Sequence, residues 1–288
     1  MSSNYSIVSI IMNCYNSDKY LKEAIDSIYA QTCDNWEIIF WDNCSSDRSS
    51  SIAKSYDGKL KYFLAKQTTS LGKARNFALR EAKGDYVAFL DCDDVYLPDK
   101  IEIQLAAMKK NNAALSFGGW IKINEKGEKL SEYKMKSNFG YEFETLLSKY
   151  NVNWQTVMFD NSFLKKNNIS FDENLSFSPD FNLVLRIAYN SPVLAIDELL
   201  SKYRVHDNSM SSRSKADKIN DFNYTINFFK DLGVEEKYKN FKYVALRAKY
   251  HMLLLDSFEE RNYGAIIGLI LKYLLSLIKE FFDRFKHG

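Results

Sequence analysis

Asp91-Cys92-Asp93-Asp94 puts three carboxylates within four residues, directly after the apolar run 86–90. Side by side their charges repel, and full ionisation is disfavoured unless a cation lies among them. Hard oxygen ligands on a short loop suit Mg²⁺ or Mn²⁺, ions that keep waters and take further ligands from a diphosphate. A solvated acidic loop capping the helix near Pro98 would use the same residues, and the cluster alone does not separate the two. A second cluster, Asp42-Asn43-Cys44-Ser45-Ser46-Asp47, closes the run 36–41 and offers a carboxylate to a base or sugar hydroxyl. A helix N-cap is the plain alternative, and it fits Ser46 or Asp47 better than Asp42. Gly72-Lys73-Ala74-Arg75-Asn76 opens a helix and sets a fixed cation near an anion site. Lys73 also reads as a surface charge; Arg75, amid small residues, does so less comfortably.

The elements that must carry these clusters follow from periodicity. Short β-rich runs at 7–12, 36–41, 60–64, 86–90 and 113–117 alternate with helical patterns at 20–31, 49–55, 72–82 and 98–110. Such alternation implies an α/β fold with a mostly parallel sheet covered on both faces. Ligands of such sheets bind outside the carboxyl ends of the strands, where 13–16, 42–47 and 91–94 all fall. Beyond residue 117 the alternation breaks. A hairpin is expected at 122–128 near Lys126-Gly127, with strands at 157–159, 193–196 and 201–205 and a helix over 179–188 begun by Ser178 and Pro179. From Lys215 the pattern is helical to the end.

Composition bounds the class. The 288 residues suffice for one large α/β domain and an appendage. At 46% hydrophobic and 26% charged the chain is globular, and a formal net charge of +2 gives no reason to expect nucleic acid. The start lacks the basic region of a signal peptide, and Cys14, Cys33, Cys44 and Cys92 form no CxxC pair. Reduced thiols and a cytoplasmic location are the expectation.

In order along the chain, VSIIMNCYN, QTCDNWEIIFWDNCSSD, GKARNFAL, GDYVAFLDCDDVYLPDK, SPDFNLVLRIA and YRVHDNSMS resemble glycosyltransferase family 2, from Val8 to about Ser211. That resemblance implies a GT-A fold and an inverting, metal-dependent hexosyl or N-acetylhexosaminyl transfer. The donor would be a UDP-sugar and the acceptor a glycan or lipid-linked saccharide, as in bacterial surface polysaccharide synthesis. It implies a catalytic domain over 1–212, with a nucleotide half at 1–117 and an acceptor half at 118–212, followed by a helical region at 213–288. Asn13 and Tyr15 would line the base pocket and Asp42 would accept the uracil imide proton. Arg75 would brace the nucleotide, Asp91 would lie near the ribose, and Asp93 would bind Mn²⁺ or Mg²⁺ on the diphosphate. His206 would reach the metal or diphosphate; an ordinary strand-end histidine is the alternative. Asp180 stands where the family carries its acceptor-activating base, although Pro179 replaces the acidic residue usual before it.

Two other readings use parts of the same pattern. A sugar-nucleotide nucleotidyltransferase would want a glycine-rich phosphate loop after the first run, which Asn13-Cys14-Tyr15-Asn16 is not. A degenerate nucleotide- or glycan-binding scaffold is the other. At the far end, Gly264, Gly268, Lys272, Ser276, Lys279 and Asp283 form one narrow stripe on an otherwise apolar helix. Lys272 interrupts it too early for a membrane span, so peripheral contact with a membrane, or a packed or homodimeric interface, is expected instead.

Overall fold

Val8–Cys14 (β1), Trp36–Asp42 (β2), Leu60–Leu64 (β3) and Tyr86–Phe89 (β4) run parallel in the order β3-β2-β1-β4. Asp18–Tyr29 (α1), Ser49–Lys54 (α2) and Leu71–Glu81 (α3) connect them. β1 and β2 are buried at all but one position each, as strands covered on both faces must be. Val8, Ile10, Met12, Ile38 and Phe40 pack on one side with Leu21, Ala24, Ile25 and Ile28 of α1. At about 1.5–3 kcal/mol for each large side chain, this cluster is a main source of stability. The chain winds from β1 through β2 to β3 on one side and returns to place β4 on the other. In open α/β sheets such a reversal, here at the carboxyl ends of β1 and β4, is where ligands bind.

The structure, a computed structural model, describes residues 7–136, 138–141, 143–206, 215–259 and 263–286. Beyond β4 come Val95–Tyr96 (β5), Lys100–Asn111 (α4), Leu115–Ile123 (β6), Lys129–Tyr133 (β7), Asn138–Tyr141 (β8) and Phe143–Ser148 (α5). A 3-10 turn at Trp154–Thr156 leads to Met158–Asp160 (β9), Asn161–Lys166 (α6), Pro179–Asn190 (α7) and Val193–Arg204 (β10). The sheet continues β4-β9-β6-β10-β5, and β9 is antiparallel to both of its neighbours. The expected hairpin is β6–β7, and Gly127 near its turn takes φ +81°, a conformation glycine adopts without strain. The two strands expected at 193–196 and 201–205 are one strand, β10. Its register shifts between Ile196 and Leu199 and again before Ser201, where exposed Asp197 and Glu198 interrupt the apolar pattern.

The chain packs as two compact units, Met1–Tyr141 with Val152–Ser212, and Glu142–Asn151 with Arg213–Gly288. The second holds α5, Lys215–Asp231 (α8), Val234–Lys237 (α9), Phe241–Glu259 (α10) and Tyr263–Lys286 (α11). Phe143 of α5 anchors it, with ring centroids 4.7 Å from Phe229, 5.1 Å from Tyr238 and 6.1 Å from Phe241. The segment 142–151 thus leaves the sheet unit to complete a helical core, an excursion without a periodic signal.

Candidate active site

The loop after β4 is held from the far end of the sheet unit. Arg204, the last residue of β10 and 1% exposed, donates its backbone N–H to Asp94 Oδ1 (2.7 Å) and its Nε to the Asp93 carbonyl (2.9 Å). Its Nη2 reaches Glu23 Oε2 at 2.6 Å, its Nη1 the carbonyls of Asn124 and Glu125, and its plane lies 4.4 Å from the Tyr20 ring. This buried fork fixes the backbone that carries Asp93. Two residues on, His206 Nε2 lies 2.8 Å from Asp93 Oδ2, both side chains partly open to solvent. Neighbouring ligands of a six-coordinate ion with bonds of about 2.1 Å stand about 3 Å apart. The contact is a hydrogen bond, and its length is close to that spacing. No three His, Cys, Asp or Glu converge among the described residues, so the chain would supply only part of a coordination shell.

The other carboxylates of the cluster are in different states. Burial, with Asp93 and Asp91 beside it, pushes Asp94 well above the usual carboxylate range, and its Oδ2 has no hydrogen-bond partner among the described residues. Partial burial lifts Asp91 to about 6 against the pull of Arg75, and Asp93 and Asp180 add to the lift. Asp91 Oδ2 accepts from Gln155 Nε2 at 2.9 Å, and Asp91 Oδ1 lies 3.7 Å from Arg75 Nη2.

Arg75 joins this loop to α7. It is 4% exposed, its Nη1 has no hydrogen-bond partner among the described residues, and that nitrogen lies 4.0 Å from Asp180 Oδ1. The guanidinium stacks on Trp154 at 4.5 Å and faces Phe171 at 5.5 Å. Asp180 sits in the first turn of α7, as Ser178 and Pro179 imply, and is partly exposed. Its approach is set by Asn76, whose amide bonds both the N–H and the C=O of Phe171 at 2.9 Å and also reaches Glu173 Oε1. Gly72 permits this closeness, since a Cβ there would lie 2.9 Å from the Asp172 carbonyl.

At the ends of β1 and β2 the side chains are tied into the loops that follow. Asp42 is wholly buried, its Oδ1 accepting from the Ser45 N–H at 2.7 Å and its Oδ2 from the Tyr62 hydroxyl at 2.6 Å. Tyr62 pairs with Phe40 across β2–β3, so its side chain shares a face with Asp42 and reaches it. Each oxygen thus accepts one hydrogen bond, and the carboxylate orders the loop that follows. That loop is stitched to the β1 loop by Asn16, whose N–H donates to Ser45 Oγ and whose Oδ1 accepts from the Ser46 N–H. Asn16 and Cys44 both take left-handed φ, 49° and 69°, which is costly for Cys44. Asn13 is half-buried, its Nδ2 without a partner among the described residues, and Tyr15 is 54% exposed. The site thus unites Asp91, Asp93, His206, Arg75 and Asp180, with Asn13 and Tyr15 at the neighbouring strand end and Asp42 withdrawn beneath it. Arg204, Gln155, Trp154 and Asn76, none of them expected to take part, hold the site residues in place.

Residues 9–170 match the sequence profile of glycosyl transferase family 2. The chain is 31% identical over 282 residues to an uncharacterized glycosyltransferase of Rickettsia typhi, covering 94% of this chain and 84% of that one. It is also 31% identical over 212 residues to the Escherichia coli UDP-Glc:alpha-D-GlcNAc-diphosphoundecaprenol beta-1,3-glucosyltransferase WfgD, covering 72% and 80%. Among solved structures, S. aureus TarS 1–349 in complex with UDP-GlcNAc superposes with a TM-score of 0.73 at 20% identity, over 94% of this chain and 81% of that one. The mannosyltransferase PcManGT from Pyrobaculum calidifontis, in complex with GDP-Man and Mn²⁺, gives 0.60 at 16% identity, over 96% and 81%. These likenesses show the GT-A fold. The chain belongs to glycosyltransferase family 2.

Proposed function

We propose that this glycosyltransferase moves a hexosyl or N-acetylhexosaminyl group from a UDP-sugar to a hydroxyl of a saccharide or lipid-linked saccharide, inverting the anomeric carbon. The observation that carries this reading is Arg75, which stands between Asp91 and Asp180 at 3.7 and 4.0 Å and so puts donor and acceptor groups in one crevice. WfgD, named for UDP-Glc, and TarS, solved in complex with UDP-GlcNAc, support the choice of nucleotide. Tyr15 offers an open ring for the base to stack on, and Asn13, two residues earlier, has a buried Nδ2 without a partner among the described residues. Asp93 and His206 would hold Mn²⁺ or Mg²⁺, with the diphosphate and water completing its shell. Bound there, the ion supplies positive charge to the departing diphosphate. Arg75 adds a buried cation that needs no reorganisation as that charge develops. Asp180 takes the proton from the acceptor hydroxyl, which attacks the face opposite the leaving nucleotide.

The test is release of UDP from a panel of UDP-sugars with candidate acceptors, after EDTA and after added Mn²⁺. One donor should be turned over strongly only with an acceptor, and Mn²⁺ should restore the activity that EDTA removes. Unchanged activity in EDTA would remove the metal role, and turnover of GDP-sugars alone would overturn the choice of nucleotide.

A further inference from the structure

Helix α11 lies along α10 and buries only one of its faces there, that of Ile266 and Ser276. On the other side Ile267, Ile270, Leu271, Leu274, Leu275 and Ile278 are each between 41% and 63% exposed. At 100° per residue these six fall within an arc of about 140°, one continuous ridge rather than scattered positions. Soluble surfaces rarely leave an apolar ridge of this length open to water unless something covers it. Lys272 and Lys279 are exposed along one border of the arc, and nothing lies within 4 Å of a Cβ built at Gly268 beside them. From Ile266 to Lys279 these two lysines are the charged residues, so along this stretch the ridge would meet an anionic surface with its charge complemented.

We infer that this ridge is a lipid-binding face, lying in the plane of an anionic bilayer surface. Its isoleucines and leucines enter the acyl boundary while Lys272 and Lys279 meet headgroup phosphates. No helix among the described residues is long and apolar enough to cross a membrane, which fits a helix lying flat. The inference rests in part on the lipid-linked acceptor proposed above, which gives the enzyme a reason to work at a membrane. Vesicle binding needs no turnover, however, so the two can fail separately.

The experiment is co-sedimentation of the full chain with vesicles of phosphatidylcholine alone and of phosphatidylcholine mixed with phosphatidylglycerol. Binding is expected to the mixed vesicles, weakened by salt. Lys272→Ala and Lys279→Ala should each lower it about fivefold, and Leu274→Glu about thirtyfold or more. A second variant, Leu274→Trp, guards against misfolding of the glutamate variant: its added emission should shift to the blue when mixed vesicles are supplied. No co-sedimentation with either vesicle would overturn the inference. So would an emission that ignores vesicles and shifts with protein concentration, the mark of a second copy on the ridge.

Discussion

The ends of β2 and β4 carry the same kind of residue in opposite states. Asp42 closes β2 with no exposure and with both oxygens satisfied, by Ser45 and by Tyr62. Asp91, Asp93 and Asp94 follow β4 as a crowded set, two of them raised in pKa and one with an unpaired buried oxygen. Asp42 is tied into the fold through both oxygens, and a ligand there would compete with those bonds. Crowded carboxylates lose repulsion when a cation arrives, so the end of β4 gains from binding what the end of β2 does not.

Substitutions can break or sharpen this contrast. The largest effect is expected from Asp93→Asn, which removes a ligand of the proposed ion: transfer should fall about 10³-fold or more, with the thermal midpoint unchanged. Steady-state rates beside a melting curve decide this, and an active variant would return the β4 cluster to the status of a surface loop. Asp180→Asn comes next, lowering turnover by about 10²–10³-fold with UDP affinity kept. Near-normal turnover would reduce Asp180 to a helix cap, since Asn caps about as well. Asn76→Ala should then cost activity up to about 10²-fold by freeing the Phe171 backbone that leads to α7. Its loss should also lower stability by roughly 1–3 kcal/mol through the polar groups left unpaired. A drop in rate without a lower melting temperature would contradict that role. Smallest in activity is Asp42→Asn: a stability cost of roughly 1–3 kcal/mol, with transfer and the preference for UDP over CDP unchanged. Loss of that preference in competition assays would put Asp42 back in the base pocket.

What could be read before the structure was whatever lies close in sequence. The carboxylate triplet is legible because its repulsion is local, and β1 to β4 because buried parallel strands are continuous apolar runs. The bond from Tyr62 to Asp42 is not legible in the sequence, because Tyr62 is 20 residues away on another strand. Arg204 lies 181 residues from Glu23 and Gln155 lies 64 from Asp91, and nothing in either local pattern marks them as supports of the site. β5, with two residues, and the 142–151 excursion are too short for any period to show. The amphipathic character of α11 was plain, but which face α10 would cover was not, because that depends on a helix hairpin rather than on composition.

The most direct test of the contrast is calorimetric titration of UDP, with Mn²⁺ and with EDTA, into the wild type, Asp93→Asn and Asp42→Asn. UDP should bind the wild type at least about tenfold more tightly with Mn²⁺, Asp93→Asn should lose that gain, and Asp42→Asn should keep it. Equal UDP affinity in Mn²⁺ and EDTA for the wild type, or a gain lost in Asp42→Asn and kept in Asp93→Asn, would contradict the assignment of the cation to the end of β4.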